Sequence, residues 1–325
     1  MKISVIIPTY NRSTSLKQTL ISLSEQEFSS DEFEVIVADD GSIDKTSEII
    51  KIDLPYSIRH YYQDNQGSAA ARNLGAQNSY GEILVLLDDD IRVTPSYLSF
   101  IYDAHQVHDS AIIQGCLMIK MPHPPSAFQQ IYINQINSNQ LPGGSIEQLT
   151  YLDCLSGFLT VKRPHYFKIG QMQDIGGDGR TAWGDVDFGY RAYRHGFDIL
   201  RVGEAIGYHD DSSFTDFWGF ATRWQEASHT LVKLIHRYPE LANQIPMIVD
   251  KNPIDWISDS PQLITRKVSR QLSASSPISM LIEKVTRIAE NNISSPTVLK
   301  HLYRWVAGNY VYEGYQAGIR EYGDI

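Results

Sequence analysis

The stretch Ile83-Leu84-Val85-Leu86-Leu87-Asp88-Asp89-Asp90 constrains this chain most, because five apolar residues run directly into three carboxylates. A short continuous apolar run is the pattern of a strand buried on both faces, as in a parallel sheet. The acids then fall at its carboxyl end, the edge where open α/β sheets bind ligands. Three adjacent negative charges repel one another and raise each other's pKa unless a cation or a set of donors sits among them. Two readings follow. The acids form a divalent-metal or donor-anchoring site, or they are a solvated turn capping a helix that begins near Pro95.

The same pattern repeats upstream. Residues 3–7 form an apolar run stopped by Pro8, then a loop over 9–12 and a helix carried by Leu16, Leu20 and Leu23, with Ser13 or Thr14 as its cap. Residues 33–38 form a second strand ending in Asp39-Asp40, followed by Gly41-Ser42 and a helix entry at Asp44. Residues 58–62 make a weaker third strand, and Asn65-Gln66-Gly67-Ser68 opens an Ala-rich helix. Strands alternating with helices predict right-handed βαβ units on a parallel sheet. The loops after the first, second and fourth strands then share one edge, so residues 8–11, Asp39-Asp40 and the acids 88–90 can line one crevice.

Neither a Gly-x-Gly-x-x-Gly loop after the first strand nor a Walker Gly-Lys-Ser/Thr is present, so no helix amides are set to cradle a phosphate. A nucleotide bound here would need a cation between its phosphates and the acids.

Three segments, Val5-Ile6-Ile7-Pro8-Thr9-Tyr10-Asn11-Arg12, Val35-Ile36-Val37-Ala38-Asp39-Asp40-Gly41-Ser42 and Leu86-Leu87-Asp88-Asp89-Asp90, occur in order with Asn65-Gln66-Gly67 to Arg72-Asn73 between them. Together they resemble the family-2 nucleotide-sugar glycosyltransferases of GT-A fold. The resemblance implies an α/β, Rossmann-like, mixed but mainly parallel sheet flanked by helices over residues 1–212, with a C-terminal helical extension over 213–325. It further implies metal-dependent, inverting transfer of a sugar from a nucleoside-diphosphate sugar, with a UDP-sugar as the first expectation, to a hydroxyl on a glycan, a lipid-linked molecule or a small molecule. Pro8, Thr9, Tyr10 and Asp39 correspond to residues that hold base and ribose, Gly67 and Arg72 to positions near base or phosphates, and Asp88 to a ribose or metal contact. Asp89 joins the donor-binding set without a specific contact. Asp90 corresponds to the ligand of Mn²⁺ or Mg²⁺, with Asp88 and His209 completing the metal set.

The base implied by the resemblance lies much further on. Residues 174–196 carry a Gly-rich segment, then Trp183-Gly184-Asp185-Val186-Asp187 and a helix with Phe188, Ala192 and Tyr193 on one face. Asp185 stands where a helix N-cap would stand, and it also matches the Asp that serves the family as general base. Gly184 departs from the pattern, which usually has Glu there. Because positions i and i+2 do not share a helix face, only one of Asp185 and Asp187 can point into the crevice, and Asp185 is the expected one.

Residues 95–106 read as a helix and 111–119 as a strand, while 121–144, rich in Pro, Asn and Gln, reads as a long loop or lid. Residues 151–161 return to strand character, and Gly157 inside them signals a bulge or a close backbone approach. Two short strands, 199–202 and 205–208, end at His209-Asp210-Asp211, where Asp210 and Asp211 would cap the next helix. A long amphipathic helix follows over 214–239. Its Thr222-Arg223-Trp224 is similar to the Gln-x-x-Arg-Trp element of processive synthases, but Phe220 occupies the Gln position. Prolines then punctuate helical runs over 278–291 and 298–318, and the series Tyr303, Trp305, Tyr310, Tyr312, Tyr315 suits a core or an oligomer contact.

The formal net charge of −10 argues against a general nucleic-acid binder. Cys116 and Cys154 sit in apolar, strand-like contexts, which favours free thiols in a reducing compartment. No stretch approaches the roughly 18 apolar residues needed to cross a bilayer, and the N-terminus does not read as a signal peptide. The expected location is therefore cytoplasmic, at most peripheral at the inner face of the membrane, with oligomeric state open. Two competing functions stay in view, a nucleotidyltransferase and a catalytically silent sugar-nucleotide-binding scaffold.

Overall fold

The apolar runs become strands that are buried throughout. In the computed structural model, which describes residues 1–121, 124–138, 141–142, 144–177, 182–210, 215–292 and 295–323, every residue of β1 (Ile3–Thr9), β2 (Phe33–Asp39) and β4 (Ile83–Leu87) is buried. The cause is a layer on each side. Ile3, Val5, Ile7, Val35, Val37, Val85 and Leu87 pack into one cluster with Leu16, Leu20 and Leu23 of α1 (Ser13–Ser24) and Leu98 and Ile101 of α4 (Tyr97–Val107). On the opposite face α3 (Ser68–Gln77) approaches so closely that a β-carbon on its Gly75 would lie 2.4 Å from Ile6 Cγ2. Each such aliphatic side chain contributes about 1.5–3 kcal/mol relative to exposure.

The chain divides into two compact units, the first comprising Met1–Lys120 and Ile136–Asp211, the second Met121–Gln135 and Ser212–Ile325. The first holds a nine-stranded sheet in the order β3-β2-β1-β4-β8-β6-β9-β5, with β7 paired to β9. Here β3 is Ser57–Tyr62, β5 Ile91–Val93, β6 Ala111–Ile119, β7 Ile146–Gln148, β8 Phe158–Lys162 and β9 Asp198–His209. β1 pairs in parallel with β2 and β4, and β2 with β3. β8 enters antiparallel between β4 and β6, so the sheet is mixed.

Several expectations change. Pro8 does not end β1, because the register with β4 stops at Ile6↔Leu86 and the missing amide breaks no ladder bond on that side. The two pieces expected around residues 199–208 are one strand, β9, whose pairing with β6 shifts register between Gly115 and Cys116. The start of the expected strand at 151 is a 3-10 turn, Tyr151–Asp153, closed by a reciprocal Thr150–Asp153 capping box. A one-turn helix α2 (Thr46–Ile49) follows Asp44, whose carboxylate also accepts from the Ser13 amide. The expected caps Ser13 and Thr14 therefore lie inside α1, with Arg12 at the N-cap position.

The segment read as a lid carries α5 (Ala127–Asn137), and its residues 127–135 belong to the second unit. There Phe128 packs with Phe217, Ala221, Ala289, Leu299, Tyr303 and Val306. A further helix α6 (Arg163–Ile169) follows β8, and α7 (Gly184–Arg194) precedes β9. The second unit is otherwise α8 (Phe217–Arg237), α9 (Pro261–Ser273), α10 (Ser276–Asn292) and α11 (Pro296–Tyr322). α8 is capped by Asp216, which accepts from the Trp218 and Gly219 amides; Asp210 instead pairs with Arg92, and Asp211 lies outside the described residues. Gly314 of α11 sits where a β-carbon would be 2.0 Å from the Gln225 carbonyl oxygen of α8. Among the described residues no helix is long and apolar enough to cross a membrane.

Candidate active site

At the carboxyl ends of β1, β2 and β4 lies a cavity of about 530 Å³. Of the residues expected from sequence, Pro8, Thr9, Tyr10, Gly67, Arg72, Asp88, Asp89 and Asp185 line it. Asp39, Asp90 and His209 are not among its lining residues. Arg12, Asp40, Asn65, Ser68, Ala71 and Ser156 line it as well.

The three acids form a tight turn between β4 and β5, closed by the Ile91 amide donating to the Asp88 carbonyl at 3.2 Å. They cap no helix, since α4 begins at Tyr97 with Ser96 at its N-cap position. Each acid has its own partners. Asp88 accepts from Arg72 Nη2 at 2.5 Å, while its amide donates to the Gly157 carbonyl at 2.9 Å. Gly157 is the close backbone approach expected from sequence, and it sits in the turn before β8.

Asp89 is buried, accepting from the Thr9 hydroxyl at 2.7 Å and from Arg12 Nη1 at 2.9 Å. Its burial pushes the carboxyl pKa up to about 6; Thr9 and Arg12 oppose that rise, while Asp90 and Asp88 add to it. Asp90 is pulled the other way. Burial raises it, but His209 and Arg12 outweigh burial and hold its pKa below the usual carboxylate range. Arg12 Nη1 lies 2.9 Å from both Asp89 and Asp90. Although burial disfavours the guanidinium charge, those two acids raise its pKa. The cation that three adjacent carboxylates demand is thus supplied within the chain by Arg12, and beside it by Arg72.

His209 reaches the turn through the sheet, because it pairs with Ile91 where β9 meets β5. Its Nε2 lies 3.2 Å from Asp90 Oδ1, a buried oxygen with no aligned hydrogen-bond donor among the described residues. Ligands about 2.1 Å from an octahedral ion stand about 3 Å from one another. The pair therefore fits two neighbouring positions on one ion, and a carboxylate with an imidazole suits Mn²⁺. Among the described residues no group of three or more His, Cys, Asp or Glu side chains could hold an ion. Further positions would come from phosphate oxygens and water.

Asp185 is the second residue of α7, not its cap. Trp183 takes the N-cap position in a left-handed conformation, with φ 69°. Asp185 Oδ1 accepts from the Val186 amide at 2.9 Å. Burial raises its pKa to about 6; backbone donors and Arg72 oppose the rise, and Asp88 adds to it. Asp187 is buried against Arg191, whose Nε and Nη2 donate to its Oδ2 at 2.8 and 2.7 Å. The i, i+4 pair keeps Asp187 for the helix.

Asp40, expected at the crevice beside Asp39 but given no role there, lines the cavity. It accepts from Gln63 Nε2 and from the Gln66 and Gly67 amides, at 2.7 to 2.9 Å, and so folds the loop that leads into α3. Gly67 has φ 89° there, a conformation that favours glycine. Asp39 is buried, accepting from the Ser42 amide at 2.8 Å, with His60 Nε2 at 3.3 Å. Arg12 was visible in the first motif. The requirement for a cation among the acids was the signal that could have singled it out.

A mixed, mainly parallel sheet flanked by helices defines a GT-A architecture, and solved structures share that fold. Staphylococcus aureus TarS, residues 1–349, aligns over 98% of this chain and 92% of its own with 18% identity and a TM-score of 0.51. The Pyrobaculum calidifontis mannosyltransferase, solved in complex with GDP-Man and Mn²⁺, aligns over 97% of this chain and 87% of its own, with 16% identity and a TM-score of 0.60. Residues 4–160, just under half of the chain, match the model of glycosyl transferase family 2. Validoxylamine A glucosyltransferase of Streptomyces hygroscopicus subsp. jinggangensis is 35% identical over 129 residues, 38% of this chain and 31% of the relative. Chondroitin synthase of Escherichia coli is 28% identical over 242 residues, 64% of this chain and 34% of the relative. The matches thus span about a third of the length of these relatives.

Proposed function

We propose that this chain transfers a sugar from a nucleoside-diphosphate sugar to a hydroxyl acceptor, with inversion at the anomeric carbon. One observation carries the reading: the loop Pro8, Thr9 and Tyr10, the acid Asp88 and the carboxylate Asp185 all line one cavity. Residues 1–212, apart from the 121–135 segment that joins the second unit, are the transferase part and 213–325 the helical extension, with the cytoplasm as its compartment.

The acceptor oxygen attacks the anomeric carbon as the bond to the diphosphate breaks, and its proton passes to Asp185. A carboxylate whose pKa is raised to about 6 suits this task, because a general base is most effective near the operating pH. Pro8, Thr9, Tyr10 and Asp39 hold base and ribose, while Gly67 and Asp89 form the wall behind them. Arg72 fixes Asp88 and adds positive charge beside the diphosphate. Asp90 and His209, with phosphate oxygens and water rather than Asp88 in the remaining positions, would hold Mn²⁺ or Mg²⁺, which would supply stabilisation of the charge developing on the leaving group.

TarS has been solved in complex with UDP and the mannosyltransferase in complex with GDP-Man; we take a UDP-sugar as the donor. Thermal denaturation with UDP, GDP, dTDP and CDP, with and without Mn²⁺, tests the reading, since a ligand of the native state stabilises in proportion to ln(1 + [L]/Kd). UDP should raise the melting temperature most, and more with Mn²⁺ present. Stabilisation by none of the four would sink the proposal.

A further inference from the structure

On α10 the apolar stripe faces outward. The positions fully buried against the rest of its unit are the small or polar Ser279, Thr286 and Ala289, and Ile282 packs partly buried against the same core. Ile278, Leu281, Val285 and Ile288 are instead 42, 60, 45 and 54% exposed. Their spacing places all four on one helix face. Leu272, exposed near the end of α9, precedes them closely in the chain. A contiguous outward apolar face of this kind marks an interaction site.

The charges on α10 are sorted as well. Lys284 and Arg287 are exposed, Arg287 with its guanidinium 3.6 Å over the Trp218 ring. Glu290 turns inward, accepting from Trp218 Nε1 and the Tyr303 hydroxyl at 3.1 Å each, and Glu283 is half-buried. The outward surface is therefore apolar with Lys284 and Arg287 beside it, and Glu283 lines the same surface groove as these two, in a chain whose formal net charge is −10.

We propose that α10 is a docking surface for an anionic lipid bilayer, with the stripe of Ile278, Leu281, Val285 and Ile288 at the acyl-chain boundary and Lys284 and Arg287 against lipid phosphates. An apolar face flanked by basic residues is the recipe of a helix that lies in the interfacial plane. A second copy of the chain fits less well. Two-fold packing about the middle of the stripe would bring Lys284 of one copy close to Lys284 of the other, and like charges facing each other oppose association. The proposal goes beyond the reaction assigned to the cleft and does not depend on it.

The full chain is sedimented with vesicles of phosphatidylcholine alone and of phosphatidylcholine with phosphatidylglycerol. Binding is expected to the anionic vesicles and to fall as salt rises. Leu281→Ser combined with Val285→Ser should lower the partition coefficient by about tenfold or more, given the transfer free energy of such side chains. Lys284→Glu should weaken binding to anionic vesicles and flatten its salt dependence. All three positions are exposed, so the melting temperatures should match that of the wild type. Failure to bind anionic vesicles, equal partition into both vesicle types, or a double variant that sediments like the wild type would overturn the proposal. So would light scattering that shows a wild-type dimer dissolved by the double variant, which makes the stripe an interface between copies.

Discussion

A β-carbon on Gly157 would lie 1.9 Å from Asp88 Oδ2 and 2.3 Å from its Cγ, so the carboxylate of Asp88 occupies the space that any larger residue at 157 would need. Gly157→Ala therefore displaces Asp88 from Arg72. The expected outcome is a loss of donor-nucleotide affinity of about tenfold, with a stability cost of about 1–3 kcal/mol for the overpacked contact. Calorimetric titration with UDP measures the first and urea denaturation the second.

Asp185→Asn should lower sugar transfer by about 10²- to 10⁴-fold, the usual worth of a positioned base. In the wild type the acid limb of kcat/KM should fall near pH 6, where Asp185 takes up its proton, and it should vanish in the variant. Stability moves in the opposite sense. The folded carboxyl pKa lies above its unfolded value, so the folded state binds the extra proton between about pH 4 and 6, and stability falls as pH rises through that window. At pH 7 Asp185→Asn should therefore melt at or above the wild-type temperature. A lower melting temperature would show that the carboxylate is better satisfied than its burial implies.

Arg12→Met leaves Asp89 and Asp90 without their shared guanidinium. Removing one partner of a fully buried pair costs about 3–5 kcal/mol. The Arg12 side chain is 42% exposed, and solvent screening reduces the expected loss to about 1–3 kcal/mol at pH 7. The loss should shrink as pH falls below 6, because Asp89 protonates there and no longer needs a cation. Denaturation midpoints measured across that range check both the size and the trend.

Asp90→Ala and His209→Ala should each remove the Mn²⁺-dependent part of donor binding while leaving the metal-free part in place. Titration of UDP with and without Mn²⁺ separates the two. Equal stimulation by Mn²⁺ in wild type and variants would take both residues out of the metal site.

What could be read in the sequence is what local pattern controls. β1, β2 and β4 announce themselves because burial on both faces requires unbroken apolar runs, and β6 spans the expected residues 111–119. α5 was hidden because its Gln and Asn residues imitate a loop; its signal was the spacing of Phe128, Ile131 and Tyr132, which pack into the second unit. β5 was missed because three residues carry no periodicity, and they form a strand only through their pairing with β9. The site divides along the same line. That the acids stand at a strand end was legible, but their partners were not, since Arg12 and Asp89 are 77 positions apart and only the folded sheet joins them.

The arrival of His209 through β9 sets a lower limit on any truncated form of this protein. The family match ends at residue 160, yet a chain cut there would lose Asp185 as well as the imidazole beside Asp90. It would also strip β5 of its pairing with β9 and leave one side of β6 unpaired, exposing strand edges that invite aggregation. The smallest fragment that keeps the acidic turn in this arrangement must therefore run through His209, well past the stretch by which the family is recognised.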